Sequence, residues 1–209
     1  MKKISITAIA LLLLLFLNGC LTTLHPIFTE KELVYEPRLV GNWDKNTNDK
    51  KEGRALITNL ATEHSIELPG NVSSIKQKGY LVTYIDMDGH VTGRYIGFLA
   101  RIGKHLYFDY YPTEDGLGKK IDDFYSQHLV KMHTSYRVDI LPNGSFQQNQ
   151  LDEGYLNALI NDKKIRIQHE LNSDGDIVIT APTAELQQYL IKYGDDPGAY
   201  MNEKTIFSK

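Results

Sequence analysis

The chain has 209 residues, of which 42% are hydrophobic and 23% are charged. This composition excludes an intrinsically disordered, a collagen-like and a multi-span membrane protein. The formal net charge is −3, and it becomes more negative once the N-terminal segment with Lys2 and Lys3 is removed, as argued below. A negative body gives no electrostatic reason to expect a nucleic acid or an anionic membrane surface as a partner.

The N-terminus has the layout of a signal peptide. Two lysines precede an apolar run at residues 4–17, and the small residue Gly19 stands directly before Cys20. The run is shorter than the roughly 20 apolar residues that a bilayer-spanning helix needs. We therefore predict a removable signal peptide over residues 1–19.

The sequence Leu17-Asn18-Gly19-Cys20 resembles the lipobox of bacterial lipoprotein signal peptides. The resemblance implies that the Cys20 sulfur receives diacylglycerol and that cleavage makes Cys20 the first mature residue. The alternative is an ordinary secretory signal with an incidental cysteine, which we disfavour because Cys20 is the only cysteine in the chain. Two or three acyl chains would hold the protein firmly to the bacterial cell envelope. Leu21, rather than aspartate, at the next position implies the outer membrane if the host is Gram-negative.

The remaining sequence predicts one β-rich domain over residues 39–209, preceded by a lipidated N-terminus and tether over residues 20–38. Short runs rich in β-branched and aromatic residues recur between turn residues, which is typical of antiparallel strands. The polar run 45–53 is predicted to be a loop or the solvated end of a hairpin. Strands are predicted near residues 54–60, 80–87, 91–102, 105–111, 129–141, 145–151, 164–171 and 176–180.

The central hairpins can be placed in register from their turns. A two-residue turn at Asp88-Gly89 pairs Tyr84 with Gly93, and a second turn at Gly103-Lys104 pairs Gly97 with Tyr110. One face of the sheet then carries Tyr80, Val82, Tyr84, Gly93, Tyr95, Gly97, Leu99, Phe108 and Tyr110. Glycines between aromatic neighbours on one face are typical of a strongly curved sheet.

A later hairpin surrounds Pro142-Asn143-Gly144. A three-residue loop with Gly144 left-handed sets Ile140 opposite Phe146, and a two-residue Asn143-Gly144 turn would set Leu141 there instead. We favour the first because the fixed φ of Pro142 suits that turn position. The same register sets Val138 opposite Gln148 and Tyr136 opposite Gln150.

Two helices are predicted in the second half of the chain. Asp152 can cap a short helix that runs to Asn161, and Thr183 can cap a second that ends at Gly194. In the second helix Leu186, Tyr189, Leu190 and Tyr193 have the i, i+3, i+4, i+7 spacing of a stripe that docks on a sheet. The predicted fold class is therefore mainly β, a β-rich α+β fold: a single antiparallel barrel or strongly curved sheet with a C-terminal helix.

The start at Gly41-x-Trp43, followed by many antiparallel strands and a late helix, resembles the lipocalins and the wider calycins. That resemblance implies a closed barrel around a cavity for a small ligand. A second resemblance, to a group of bacterial lipoproteins without an established activity, implies a class of protein but no site. It rests on residues 24–26, 39–43, 128–134, 165–170 and 181–187.

Motifs for catalysis or metal binding are not evident in the sequence. Asp122, Asp123 and His128 are unpaired candidates in or beside a polar stretch, so no catalytic residue is assigned. We interpret His128 and His133 as surface or packing residues. The carboxylate spacings at residues 86–89 and 172–176 suit calcium but lack the closing glutamate, so we interpret both as hairpin turns and expect neither a metal nor another cofactor.

The chain contains 13 Tyr and 7 Phe, which either fill a small barrel or line a lumen. We favour filling. In a hollow barrel, the expected ligand-binding residues are Tyr84, Tyr95, Tyr110, Tyr136, Gln148 and Gln150.

Three functions remain open from the sequence. The first is a non-catalytic envelope module that is held to the membrane through acyl chains on Cys20 and binds an envelope protein through its outer surface. The alternatives are a lipocalin-like carrier of a small amphipathic ligand, and a hydrolase, for which at least two catalytic groups would have to converge in one cleft.

Overall fold

The computed structural model describes residues 20–63, 72–113 and 128–209. The predicted signal peptide at 1–19 and the acidic pair Asp122 and Asp123 lie outside the described residues. In chain order the strands are β1 (Thr22–Thr23), β2 (Gly41–Thr47), β3 (Lys50–Asn59), β4 (Gly79–Ile85), β5 (Val91–Ile102), β6 (His105–Pro112), β7 (His133–Ile140), β8 (Phe146–Leu151), β9 (His169–Leu171), β10 (Ile177–Ile179) and β11 (Tyr200–Ser208). The helices are α1 (Glu153–Asn161) and α2 (Thr183–Tyr193), and short 3₁₀ segments cover Pro37–Leu39, Leu60–Thr62, Val72–Lys78 and Pro197–Ala199.

Eight of these strands form a closed antiparallel barrel. The order β2-β3-β4-β5-β6 continues through the pairing of β6 with β7 to β8 and β11, and β11 pairs back with β2. Strands β1, β10 and β9 extend the sheet beyond β7. Closure removes the free edges that an open sheet would expose. The predicted mainly-β fold with a barrel and a C-terminal helix is confirmed.

The closing strand β11 was not predicted from the sequence. Only Ile206 and Phe207 interrupt a polar run there, and Phe207 alone of the strand's last four residues is fully buried. The other inward positions, Glu203 and Thr205, line a water-accessible cavity described below. A strand whose inner face is partly wet loses the alternation of apolar and polar residues on which strand prediction relies.

The predicted hairpin registers are confirmed at the centre of the barrel. Tyr84 lies opposite Gly93, and Gly97 lies opposite both Tyr80 and Tyr110. The turn between β4 and β5 differs from the prediction, because the Asp86 amide donates to the His90 carbonyl oxygen and three residues, not two, form the loop. An unpaired Thr92 in β5 restores the register as a β-bulge.

The glycines on the inner face are filled by aromatic rings, as the pattern predicts. A Cβ atom on Gly97 would overlap the Phe108 ring, and one on Gly93 would contact the Tyr95 ring. Each ring therefore occupies the space that a side chain at the glycine position would need, from the neighbouring strand for Phe108 and from the same strand for Tyr95. This packing explains how the sheet curves tightly enough to close with eight strands.

The other turns of the barrel resolve two predictions. The 142–144 loop has three residues with Gly144 at φ +84°, and Ile140 faces Phe146 as favoured. The polar run 45–53 is a hairpin end rather than a loop. Strands β2 and β3 extend through it and join at Asn48-Asp49, both of which have positive φ, as a tight two-residue hairpin turn requires.

Two predicted strands are shorter than expected because they lack partners. Residues 129–132 precede β7 without pairing to a described strand, since β1 supplies partners from His133 onward. The predicted strand at 164–171 is regular only in β9, because its partner β10 has three residues.

The molecule contains two hydrophobic cores. The first fills one half of the barrel and includes Trp43, Tyr80, Phe108, Phe146 and Phe207. The second lies between the outer face of the barrel and the segments that cover it. Its members come from β4, β5 and β6, from the helices α1 and α2, and from the N-terminal segment.

Residues 20–38, expected to be a tether, pack against the barrel. Leu21, Ile27, Phe28 and Leu33 are buried in the outer core. The carboxylate of Asp109, 1% exposed on the outer face of β6, accepts a hydrogen bond from the Ile27 amide at 3.1 Å. This segment is therefore part of the folded body.

Both helices lie where predicted. The Asp152 side chain caps α1 by accepting from the Tyr155 amide. In α2 the cap is Pro182, and the Thr183 hydroxyl instead donates to the Pro26 carbonyl oxygen at 2.7 Å. The α2 stripe faces the outer core. No helix among the described residues has the length and apolar composition required to cross a bilayer.

Candidate ligand-binding cavity

One end of the barrel is hollow. A cavity of about 1020 Å³ opens where β4, β6 and β8 end and where β5 and β7 begin. Small-molecule sites in proteins are typically concave spaces of about 300–1,000 Å³. The preference for a filled interior is therefore wrong for this half of the barrel, although aromatic residues do fill the other half.

All six residues expected around a lumen line this cavity. Tyr84, Tyr95, Tyr110, Tyr136, Gln148 and Gln150 are among its walls. They lie on five consecutive strands, β4 to β8. Every second residue of a strand points to the same face of the sheet, and these six all occupy positions on the inner face. The register derived from the turns thus places these side chains together.

Tyr110 forms the centre of a hydrogen-bonded floor. Its hydroxyl oxygen accepts from the Tyr84 hydroxyl at 3.0 Å and from Gln148 Nε2 at 2.6 Å. A phenol oxygen has two acceptor sites and one donor proton. Tyr110 is the acceptor in both bonds, so its own O–H proton is used in neither of them.

Burial keeps these tyrosines protonated. Removal from water raises the pKa of Tyr110 to about 12 and raises the pKa of Tyr84 well above its ordinary value. Burial also raises the pKa of Tyr136. Because the charged phenolate is disfavoured away from water, these hydroxyl groups stay protonated over the whole physiological pH range.

Aromatic edges and faces form the walls above this floor. The rings of Tyr95 and Tyr136 stand nearly perpendicular to the Tyr110 ring, with centroids 6.0 and 5.5 Å away. Edge-to-face packing of this kind fixes ring orientation. Neither the Tyr95 nor the Tyr136 hydroxyl forms a hydrogen bond with another described residue, so both are available to a ligand or to water.

The mouth of the cavity has a charged side and an apolar side. On the charged side Lys45 and Glu52 form an ion pair at 2.7 Å, and the Thr47 hydroxyl also donates to Glu52. Arg54 and Glu203 belong to the same side. On the mainly apolar side the segment before β7 contributes Leu129, Val130 and Met132, together with the charged residue Lys131. Such a mouth suits a molecule with both polar and apolar parts.

Cys20 lies at this mouth. Its sulfur accepts a hydrogen bond from Gln150 Nε2 at 2.7 Å, and its backbone forms an isolated bridge with Asp152. The predicted site of lipid attachment is thus beside the predicted ligand cavity. Sequence reasoning missed this proximity because residues 20–38 were expected to be a tether.

Sequence reasoning also missed the charged side of the mouth. Lys45 and Glu52 lie in the polar run that was interpreted as a loop or hairpin end, and Glu203 lies in the strand that was not predicted. The available signal was the i, i+2 spacing of Lys45 and Thr47 and of Glu203 and Thr205. This spacing puts each pair on one face of its strand, and all four residues line the cavity.

Of the two carboxylate clusters noted in the sequence, only Asp86 reaches the lining of the cavity. Asp86, Asp88 and His90 lie close together, but the Asp86 carboxylate accepts from the Asp88 and His90 amides and so closes the exposed turn. Asn172 does the same for Asp174 and Asp176.

The two histidines near β7 also lie apart from the floor. His128 is exposed. His133 packs on the outer face of the barrel, where its Nδ1 contacts Asp109 at 2.6 Å and its ring lies 4.9 Å from that of Tyr111. His133 thus has a structural contact, in line with the packing interpretation.

No protein-family model, curated protein or solved structure matches the chain.

Proposed function

We propose that this chain is a lipid-anchored, non-catalytic protein of the bacterial cell envelope whose barrel binds a small amphipathic molecule. The observation that carries the proposal is the cavity of about 1020 Å³ with Tyr110 at its floor. A lumen filled by side chains would have eliminated a carrier. The hollow end favours a ligand inside the barrel over a partner protein on its outer surface.

The chemistry of the walls indicates the kind of ligand. The free proton of Tyr110 suits an oxygen acceptor such as a carboxylate, an ester or a hydroxyl group. Apolar carbon would lie among the rings of Tyr84, Tyr95 and Tyr136, where it loses contact with water. The ligand is therefore an amphipath whose oxygen end lies deep in the barrel and whose apolar end lies toward the mouth.

Binding of dansyl-labelled undecanoic acid to the mature chain, residues 20–209 with Cys20→Ser, tests this proposal. We expect a saturable rise in dansyl emission at one probe per chain. Tyr110→Phe should weaken binding about five- to tenfold, since one hydrogen bond contributes roughly 1 kcal/mol. Thr134→Trp, which places a large ring among the cavity walls, should abolish it.

Tyr107→Phe is the matched control. Tyr107 is buried on the same strand, but it faces outward and its hydroxyl lies 3.1 Å from that of Tyr200. It should bind the probe like the parent. Binding that is not saturable, or that Tyr107→Phe and Tyr110→Phe weaken equally, would show that the probe does not occupy the cavity.

The anchor is tested separately. A mass spectrum of the protein extracted from envelope membranes should show a first residue Cys20 with a mass increase of a diacylglyceryl group and an amide-linked acyl chain. An unmodified Cys20, or a mature chain that begins elsewhere, would refute the lipid attachment.

A further inference from the structure

We propose that the mouth of the barrel lies against the bilayer that holds the Cys20 lipid, so that the cavity exchanges an acyl-chain amphipath directly with that membrane. This inference rests on the proposed function, because it takes the lipid anchor and the ligand cavity from it. It adds the orientation of the barrel, the surface that contacts the membrane, and the source of the ligand.

The first observation is that the Cys20 sulfur has almost no freedom to move away from the mouth. It contacts Gln150, a wall residue of the cavity. Leu21 is 5% exposed in the outer core, and β1 begins at Thr22. A fully extended chain advances only about 3.5 Å per residue. With no spacer between the acylated sulfur and the folded body, the membrane surface must lie near this end.

The contact between Cys20 and Gln150 is compatible with lipid attachment. The amide of Gln150 donates and the sulfur accepts, so the bond does not need the thiol proton. A thioether sulfur remains a weak acceptor. Acylation of Cys20 therefore leaves the anchor at the rim of the cavity.

The second observation is independent of the anchor. Among the described residues, four of the eight exposed large hydrophobic side chains belong to the open end: Met87, Val91, Leu129 and Val130. The first two flank the turn between β4 and β5, and the other two line the mouth itself. Single exposed apolar residues are ordinary, but several around one opening mark a surface that another phase or molecule covers.

At the opposite end the described part of the chain has two such side chains: Tyr35, whose ring stacks on that of Tyr80 with centroids 5.2 Å apart, and Ile191. Ile191 on α2 is the exposed hydrophobic residue beside the β5–β6 turn, where its Cγ1 lies 3.5 Å from the position of a Cβ atom built on Gly103. The distribution of exposed apolar side chains is therefore uneven along the barrel axis. Only the open end combines them with a lipid attachment point.

The two observations together give the ligand a path. An acyl chain that left the bilayer at the mouth would pass from lipid to the apolar side of the opening and then to the tyrosine walls. It would avoid the unfavourable hydration of its methylene groups in bulk water. The oxygen end would reach Tyr110, and the chain end would point back toward the membrane.

The experiment uses full-length protein, exported and acylated by its bacterial host and reconstituted into phosphatidylcholine vesicles. Met87→Cys, Val130→Cys and Ile191→Cys each add one thiol, which is labelled with the fluorophore NBD. Met87 and Ile191 are matched in exposure, at 62% and 61%. The parent should take up no label, because its one cysteine is blocked by lipid.

We expect spin-labelled phosphatidylcholine to quench NBD at positions 87 and 130 about twofold or more, and to leave position 191 nearly unchanged, since interfacial residues sit roughly 5–10 Å into the bilayer surface. Equal, water-like emission at all three positions, with the parent still blocked and dansyl-undecanoate still bound, would overturn the orientation alone. Label on Cys20 of the parent would overturn the anchor and this inference together.

Discussion

The two halves of the barrel have the same strands and the same alternation, yet one is packed and the other is hollow. In the closed half the Trp43 indole contacts Phe146 edge-on at 4.9 Å, and Phe146 stacks on Phe207 at 4.5 Å. In the open half the inward residues include Tyr136, Gln148 and Gln150, which do not fill the lumen. The packed half supplies most of the barrel's internal hydrophobic contacts, and the other half leaves a cavity.

The difference lies in what each inward side chain carries at its tip. The Trp43 indole N–H donates to the Leu39 carbonyl oxygen. The Lys209 ammonium lies 4.6 Å from the centre of the Trp43 ring. Trp43 and these two neighbours therefore close this end of the barrel. Tyrosine hydroxyls and glutamine amides need polar partners when buried. At the open end a wet cavity or a ligand supplies them.

The largest expected effect separates the stability of the two halves. Phe146→Ala should lower the free energy of unfolding by about 3–5 kcal/mol, the usual cost of removing a buried aromatic ring. Tyr136→Ala should cost roughly 1–2 kcal/mol, because its ring already faces open space. Chemical denaturation of both variants measures this. Equal losses would mean that the open half is as important for folding as the closed half.

A second variant tests the attachment of the N-terminal segment to the outer wall. Asp109→Ala removes a buried carboxylate that contacts Ile27, His133 and Ser135, and should cost about 2–3 kcal/mol. Hydrogen exchange should increase first in residues 20–33. Asp195→Ala removes surface contacts with Lys104 and His105 and should cost less than about 1 kcal/mol. A similar loss in both variants would contradict the assigned role of Asp109.

Alkaline pH should destabilise the fold, because ionisation of the buried Tyr110 hydroxyl is unfavourable. Burial in the folded state raises the pKa of Tyr110 to about 12 from an ordinary 10.0. The buried neutral hydroxyl therefore contributes to the free energy of unfolding below pH 10, and this contribution is lost as the pH rises to 12. That contribution is roughly 2–3 kcal/mol. In Tyr110→Phe, the fall of stability between pH 10 and 12 should be smaller by this amount. Curves that stay parallel across this window would show that Tyr110 ionises as easily when folded.

The smallest expected effect concerns a turn at the closed end. Gly144 has φ +84° with open space around its Cβ position, so Gly144→Ala should cost about 1 kcal/mol from backbone strain alone. Gly144→Asn should cost less, since asparagine tolerates this conformation. Thermal unfolding of the two variants distinguishes backbone strain from steric crowding. If crowding were the cause, the larger Asn would be the more destabilising substitution.

Local sequence rules explain why much of the barrel was predictable. Turn residues such as Gly103 and Pro142 define registers, and the registers bring Tyr84, Tyr110 and Gln148 to one face. The third dimension was not predictable in this way. Nothing local shows that β11 closes the barrel, that Leu21 and Ile27 dock on its outer wall, or that the inner rings fill only one end.

The position of Cys20 illustrates the same limit. The lone cysteine after Leu17-Asn18-Gly19 predicts lipid attachment, but its neighbour Gln150 is 130 residues away in the chain. Such contacts depend on closure of the whole barrel. For this reason the sequence predicted the wall residues individually and missed that they lie beside Cys20.

Fluorine NMR of the mature chain labelled with fluorotyrosine would test the central claim most directly, with Tyr110→Phe and Tyr107→Phe used to assign two of the 13 tyrosine signals. On addition of undecanoic acid, the Tyr110 signal should shift saturably and the Tyr107 signal should stay in place. A Tyr110 signal that does not move while undecanoic acid binds would contradict a ligand site at the floor of the cavity.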